Sequence, residues 1–332
     1  MVVKAAFFDR LRILTEAYLS RRRAVQRIKR EKQRAKNPIL DWLEAFVWAA
    51  GVVLLINQYL FQAYQIPSGS MIDTLIGGLR NQRDDRIFVS KLIYGPELLP
   101  GIGKIPSPVK PKREDVIIFE NPEYFSRGPL FDIVQRIVYM LSLSFIDIDR
   151  NEAGQPRVHF LIKRAAGMGG DLIETRRGEL YFRFAGEDRW VSEGDYLARR
   201  GFSHRLSRLV EEDQYPALEA LGRAEGYMDM GLSPPPALTR TAGALDGSYV
   251  DTFAKEGARF SLLRSAFPHD GRYRALSVRL RGWYVPEGRI LPLGDNRDNS
   301  HDGRFFGTVS SSKILGRGSL KYWPLSRLGR IR

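Results

Sequence analysis

One long apolar run stands out at residues 45–63, where nineteen consecutive positions carry no formal charge. At about 1.5 Å per residue, a helix of this length nearly spans a hydrocarbon core of roughly 30 Å. Aromatic residues such as Trp42 and Tyr64 stand near its two ends, where membrane helices meet the interface. The run predicts a membrane anchor over residues 41–63. A buried helix of a soluble protein is the alternative, because three side-chain amides make the last third more polar.

Beyond this run the pattern changes to short stretches rich in β-branched and aromatic residues, separated by Gly, Pro and Asp. This texture is typical of antiparallel sheets and not of alternating strands and helices. We therefore predict a mainly β fold, with an antiparallel-sheet domain behind a single N-terminal transmembrane helix. The predicted strands are residues 86–89, 115–119, 158–162, 172–174, 179–184, 277–280 and 318–322.

Two segments depart from this texture. Residues 137–148 are mostly apolar but too short to span a bilayer, so they predict a core helix or a segment resting on the membrane. Residues 185–275 are richer in charge and loop residues and contain helix-like stretches, which predict an inserted subdomain of helices and loops. The predicted organisation is a basic arm (1–40), an anchor (41–63), a sheet domain in two parts (64–184 and 276–332), and the insert between them.

Charge is concentrated at the N-terminus. The chain has a net charge of +14, and residues 1–40 hold twelve Lys or Arg against three acids. A basic arm can bind nucleic acid, but this one directly precedes the apolar run. By the positive-inside rule, the arm is then cytoplasmic and the chain after residue 63 lies outside. We expect no nucleic-acid partner. The absence of cysteine excludes disulfides and cysteine nucleophiles.

Candidate chemistry begins just after the anchor. The turn at Ile66–Met71 presents two hydroxyls, Ser68 and Ser70, on either side of a glycine. A serine nucleophile needs a base, and His301, which lies in a polar turn, is the best placed of the four histidines. Lys163 is the other candidate, because it follows an apolar strand. Burial can lower the pKa of a lysine from about 10.4 to roughly 7 to 8.

Four short blocks contain these candidates and their neighbours, at Pro67–Leu75, Asp85–Lys91, Lys163–Asp171 and Gly294–Arg304. In their sequence and order they resemble the blocks of the bacterial type I signal peptidases, which are membrane-anchored Ser/Lys proteases. Asp73 and Gly169 stand where that family usually has proline, and neither carries a reacting group.

The resemblance implies a role for each matching residue. Ser70 would be the nucleophile and Lys163 the general base, with the Ser70 backbone N–H and the Ser68 hydroxyl as the oxyanion hole. Ser300 would hydrogen-bond and orient the Lys163 amine. Supporting roles fall to Arg164 and to an Asp302–Arg304 pair, and the substrate pockets would be lined by Tyr64, Ile66, Leu75 and Ile162.

The same resemblance implies the partners. These are preproteins with signal peptides, cleaved after small residues, and membrane lipid; no cofactor or metal is expected, and the protein would be a monomer in the cytoplasmic membrane with its catalytic domain on the outer face. A non-enzymatic, membrane-anchored binding domain is the alternative. A self-cleaving repressor would need a DNA-binding domain where this chain has its apolar run. A Ser-His-Asp triad through His301 is the second mechanism.

Overall fold

The computed structural model describes residues 15–27, 37–79, 82–99, 102–152, 154, 157–202, 206, 208, 210–247, 250–279 and 282–331. Most of the predicted basic arm, and His204, lie outside these residues. Two compact units are present, Met1–Val53 and Leu54–Arg332. The helices are α1 (residues 15–27), α2 (Pro38–Leu55), α3 (Pro129–Leu141), α4 (Glu193–Arg200), α5 (Tyr215–Asp229), α6 (Pro236–Ala242), α7 (Thr252–Ala266), α8 (Gly271–Arg279) and α9 (Gly303–Phe306).

The apolar run forms helix α2, which continues as a π-helical turn at Ile56–Leu60. Together, Pro38–Leu60 make a helix of 23 residues that is long and apolar enough to cross a membrane. At about 1.5 Å per residue it covers roughly 34 Å. The predicted anchor reached residue 63, but the chain is already extended from Phe61 onward. The helical segment therefore ends at Leu60.

Antiparallel strands dominate the second unit, which confirms the predicted mainly β character. The main sheet has the order β1-β2-β13-β5-β6-β11-β12, with β14 beside β13. A smaller sheet has the order β10-β7-β8-β9, and β3 pairs with β4. The strands are β1 (Phe61–Gln65), β2 (Arg86–Ser90), β3 (Glu97–Leu99), β4 (Ile102–Lys104), β5 (Val116–Glu120), β6 (Phe160–Met168), β7 (Leu172–Arg176), β8 (Glu179–Arg183), β9 (Val191–Ser192), β10 (Gly282–Tyr284), β11 (Arg289–Leu293), β12 (Val309–Ser310), β13 (Ile314–Trp323) and β14 (Gly329–Arg330).

The core of the main sheet brings the two parts of the predicted sheet domain together. Strand β13, from the C-terminal part, lies between β2 and β5 and is antiparallel to both. Strand β11 pairs with β6 in the same way. Apolar side chains of β1, β2, β5 and β6 form one buried cluster with Met71 and Leu75, which follow β1. This packing fixes the turn after β1 against the middle of the sheet.

One sequence-based expectation is wrong, and one of the two alternatives given for residues 137–148, the core helix, is excluded; the other, a segment resting on the membrane, stays a prediction. The predicted strand at 277–280 overlaps the end of α8, and the neighbouring strand is β10. Helix α8 begins beside Asp270, whose carboxylate accepts a hydrogen bond of 2.9 Å from the Arg272 N–H. The helix then continues to Arg279 and includes the locally alternating pattern that had predicted a strand. Residues 137–148 are not one core helix, because α3 ends at Leu141 and the side chain of Phe145 beyond it is 70% exposed.

Region 185–275 is mostly helical, as its pattern indicated. Helices α5 and α7 pack closely, since a Cβ on Gly222 would lie 2.1 Å from the Lys255 carbonyl oxygen. Asp251 caps α7 by accepting a hydrogen bond from the Ala254 N–H. Strand β9 lies within the region and pairs with β8 of the sheet domain. A separate inserted subdomain over these residues stays a prediction.

Candidate active site

Ser70 lies on a tight turn directly after β1. The chain leaves the strand at Gln65 and forms one 3₁₀ turn at Gly69–Met71, which buries Ser70. The Ser70 Oγ accepts a hydrogen bond of 2.7 Å from Lys163 Nζ. Ser68, which is exposed, donates a longer one of 3.3 Å from its Oγ to the same atom. Ser70 is thus the meeting point of the two side chains predicted to serve it.

The sequence predicted that Lys163 follows the end of a strand. It lies instead within strand β6, which continues to Met168. Its side chain is buried, and besides Ser70 the Nζ donates to the Ile162 carbonyl at 3.1 Å. Burial lowers the pKa of Lys163 to about 8, against the opposing effect of the carboxylates of Asp302 and Asp295. A substantial fraction of this amine is therefore neutral near physiological pH and can accept a proton.

Arg164, the next residue of β6, pairs with an acid that the sequence analysis did not single out. Its Nε and Nη2 donate to the two carboxylate oxygens of Asp295 at 2.7 and 2.6 Å. Thr74 donates to the same carboxylate at 2.5 Å, and Arg164 Nη1 donates to the Glu114 carbonyl at 2.8 Å. This bidentate, buried pair joins β6 to the turn that follows β11.

The segment Gly294–Arg304, here called the 294–304 turn, is stabilised internally by the predicted pair. Arg304 Nε donates to Asp302 Oδ1 at 3.0 Å, and Asp302 Oδ2 accepts from the Gly294 N–H at 3.0 Å. Gly294 itself passes very close to the site, because a Cβ there would lie 2.5 Å from the Ser70 carbonyl oxygen. Glycine is therefore needed at this crossing.

Ser300 does not make the hydrogen bond to Lys163 that the resemblance implied. Its Oγ is buried and has no hydrogen-bond partner within the part of the chain that the structure describes. The hydrogen bonds of Lys163 Nζ run instead to Ser70 and to the Ile162 carbonyl. Ser300 nevertheless lies at the site, since its Oγ would be 2.2 Å from a Cβ on Gly294.

The two histidines near the site have other partners. His301 is exposed, its Nε2 lies 2.7 Å from Glu123 Oε2, and its ring stacks on Phe305. His159 is buried, with its Nε2 2.8 Å from Asp149 Oδ2. Neither histidine is hydrogen-bonded to Ser70 in this structure, so the geometry favours lysine as the base.

A cleft of about 580 Å³ opens beside Ser70 and Lys163. Three of the four predicted pocket residues, Tyr64, Ile66 and Ile162, line it, whereas Leu75 lies in the buried cluster and not at the cleft. The opposite wall comes from α3 and the loop after it, through residues such as Gln135, Tyr139 and Phe145. No motif in the sequence marked these residues, because they reach the cleft only through the packing of α3.

Comparison with known proteins agrees with this arrangement. Residues 39–206 and 246–323 match the family model described as signal peptidase, peptidase S26. The chain is 28% identical over 304 residues to a signal peptidase I of Haemophilus influenzae, which covers 90% of this chain and 74% of the relative. It is 26% identical over 277 residues to that of Aquifex aeolicus, covering 82% and 79%. Because the family model spans well over half of the sequence, the chain belongs to the signal peptidase family, peptidase S26.

Proposed function

We propose that this protein is a membrane-anchored serine endopeptidase that removes signal peptides from exported preproteins, with Ser70 as nucleophile and Lys163 as general base. The observation that carries the proposal is the 2.7 Å contact between a serine on a tight turn and a buried lysine whose pKa is lowered to about 8. Membership of the family, and relatives named signal peptidase I, support the substrate class.

In the first half of the reaction, the neutral amine of Lys163 removes the hydroxyl proton while Ser70 Oγ attacks the scissile carbonyl carbon. The resulting tetrahedral intermediate collapses as the ammonium of Lys163 returns that proton to the leaving amine. An ester between Ser70 and the signal peptide remains. In the second half, Lys163 removes a proton from water as the water oxygen attacks the ester carbonyl. The bond from that carbonyl to Ser70 Oγ then breaks, the ammonium of Lys163 returns the proton to Oγ, and the signal peptide leaves with a free carboxyl end.

Negative charge on the intermediate needs donors already in place. The backbone N–H of Ser70 and the hydroxyl of Ser68 are the proposed donors. Ser68 is exposed, and its hydrogen bond to Ser70 Oγ is long at 3.3 Å, so its hydroxyl is free to turn toward a bound carbonyl at little cost. The backbone at Ser70 is held more firmly, because its carbonyl accepts a hydrogen bond of 3.1 Å from the Asn296 N–H.

The substrate would bind as an added β-strand along the cleft. The end of β1 and the first half of β6 both line it, and main-chain hydrogen bonds to such edges provide affinity with little dependence on sequence. Large side chains of Tyr64, Ile66 and Ile162 already occupy the pocket floor, which favours small substrate side chains before the cut. Leu75 would act only from behind, as part of the cluster that supports Ile66.

We further propose that the N-terminus is cytoplasmic and that the sheet domain works on the outer face of the membrane as a monomer, in contact with lipid. The twelve basic residues within 1–40 support this orientation. A translocated preprotein would present the end of its signal peptide on that same face.

The direct test is incubation of the detergent-solubilised protein with a purified preprotein, followed by sequencing of the new N-terminus. We expect one cut after a small residue with the wild type and none with Ser70→Ala. Membrane extraction and circular dichroism establish that the variant is folded and anchored. Cleavage by folded Ser70→Ala at the wild-type rate would refute the proposal.

A further inference from the structure

Region 185–275 meets the 294–304 turn at two places, and the first is a buried ion pair. The guanidinium of Arg297 donates through Nη2 to the carboxylate of Glu193, the first residue of α4. The side chains are 1% and 5% exposed. Both charges are thus removed from water, and each helps to compensate the other.

The second contact involves Asp298, the neighbour of Arg297, whose side chain is fully buried. Its Oδ2 accepts a hydrogen bond of 3.0 Å from the Val210 N–H, and its Oδ1 lies 3.3 Å from Arg208 Nη2. Arg208 in turn donates to the Gly178 carbonyl and to the Tyr215 hydroxyl. Arg208 lies outside the residues that match the family model, yet it reaches the turn that carries one of the family's four blocks.

From this turn a short path of contacts leads to the nucleophile. Arg297, which follows Asn296 in the sequence, donates through Nη1 to the carbonyl of Gly294, which precedes it, at 2.5 Å. Asn296 then donates twice to the turn at Gly69–Met71, here called the nucleophile turn. Its N–H donates to the Ser70 carbonyl at 3.1 Å and its Nδ2 to the Gly69 carbonyl at 3.0 Å. Two residues, Arg297 and Asn296, therefore connect Glu193 to the backbone of Ser70.

We infer that Glu193 and Arg208 are positioning residues: region 185–275 holds the 294–304 turn against the nucleophile turn, so that the Ser70 backbone stays aimed at the scissile carbonyl. This inference rests on the proposed function. Glu193 compensates the charge of Arg297, and Arg208 together with the Val210 N–H compensates that of Asp298. Without either contact a buried charge loses its direct partner from region 185–275, and the turn relaxes. Misplacement of reacting groups by about 1 Å can lower a rate roughly 10²-fold.

The test compares Glu193→Gln with Glu225→Gln in the full-length, detergent-solubilised protein. Glu225 is a control from the same region: it forms an ion pair to Lys255 at 2.9 Å between α5 and α7, on side chains that are 26% and 20% exposed, without touching the 294–304 turn. For each variant, kcat and KM for preprotein cleavage are measured together with the melting temperature, and assays are run well below the lowest melting temperature.

We expect Glu193→Gln to lower kcat by about tenfold to a hundredfold with KM within about twofold of wild type, as for an interaction that acts in the transition state. Glu193→Asp, which keeps the charge, should recover part of the loss, and Glu225→Gln should leave kcat unchanged. Arg208→Ala, at a more exposed side chain, should also lower kcat and decides the matter if Glu193→Gln does not fold. Unchanged kcat in the folded variants, with an active wild type, would overturn the inference. An inactive wild type would count against the proposed function instead.

Discussion

Lys163 Nζ and Ser70 Oγ lie 2.7 Å apart although 93 positions separate the two residues in the chain. The contact is buried, and an ammonium group cannot accept a proton, so Ser70 can lose its proton to Lys163 only when the amine is neutral. The protonation state of Lys163 should therefore govern the reaction. The next three predictions, on Lys163→Met, the pH profile and Glu114→Gln, follow from this.

Replacement of Lys163 by methionine keeps most of the side-chain volume and removes the proposed base. Because general-base catalysis typically contributes 10²–10⁴-fold, we expect kcat for preprotein cleavage to fall at least about a hundredfold. The melting temperature should rise or stay the same, since a desolvated amine is lost. Cleavage assays and thermal unfolding in detergent check both points. Normal activity in Lys163→Met would show that another group is the base.

The rate should depend on pH through Lys163. Burial lowers the pKa of its amine to about 8, and the active form is the deprotonated one. Consequently kcat/KM should rise about tenfold per pH unit below pH 8 and level off above it. The measurement is a pH profile with a preprotein substrate between pH 6 and pH 10, and a profile that falls across this range would contradict the assignment.

Glu114 is the control for that profile, because burial raises the pKa of its carboxyl to about 7 and its backbone carbonyl binds Arg164. It titrates in the same range without reaching Ser70. We expect Glu114→Gln to leave the midpoint of the rising limb near pH 8. A shift of that midpoint would assign part of the pH dependence to Glu114.

The Arg164–Asp295 pair should matter for stability. Asp295→Asn removes the bidentate partner of the buried Arg164 guanidinium and leaves it the more distant carboxylate of Glu114, 3.9 Å from Nε. Loss of one partner of a buried pair typically costs about 3 to 5 kcal/mol. The control is Asp229→Asn, since Asp229 pairs with Arg259 at 2.6 Å on side chains that are 31% and 29% exposed, where a pair contributes about 1 kcal/mol or less. Urea unfolding of both variants measures the difference. Equal losses in the free energy of unfolding would show that the buried pair contributes no more to stability than the more exposed one.

Acid should weaken the same pair. Burial alone would raise the pKa of Asp295, but the hydrogen bonds and charge of Arg164 outweigh it and hold the pKa below the ordinary value. The stability that this carboxylate contributes is thus present above about pH 4 and is lost as the pH falls through its lowered pKa. In Asp295→Asn the pH dependence of unfolding should be shallower in this acidic range than in wild type.

His301→Ala should be nearly silent, because the imidazole faces Glu123 at the surface and stacks on Phe305. We expect kcat/KM within about twofold of wild type, whereas general-base removal costs at least about a hundredfold. A large loss would favour the triad over the dyad.

The absence of cysteine makes the topology easy to test. A single cysteine introduced as Ser326→Cys, at an exposed position of the sheet domain, should react with a membrane-impermeant maleimide in intact spheroplasts. Ser20→Cys in α1 should react only after the membrane is permeabilised. The reverse pattern of labelling would refute the proposed orientation.

Much of this arrangement could be predicted from the sequence, and the remainder has identifiable causes. The uncharged apolar run located the anchor, and short stretches of β-branched and aromatic residues between turn residues located most strands, because both patterns are local in the sequence. Ser70, Lys163 and the Asp302–Arg304 pair were found because they lie in short blocks shared with a family. Contacts between residues far apart in the sequence leave no such signal. Glu193 meets Arg297 only through tertiary packing, and α3 reaches the cleft in the same way. Ser300 lies at the site without the expected hydrogen bond to Lys163, and Leu75 lies in the buried cluster and not at the cleft. Both outcomes depend on side-chain geometry that the sequence does not carry.

The absence of any linker between the anchor and the sheet has a consequence for substrate choice. Strand β1 starts at Phe61, immediately after the helical segment ends at Leu60, and Ser70 follows ten positions later. At no more than about 3.5 Å per residue, the nucleophile stays within roughly 35 Å of the end of the helix. The protease would then select bonds by their distance from the bilayer surface as well as by the side chains beside them. A preprotein whose apolar segment holds the bond too far from that surface would not be cleaved.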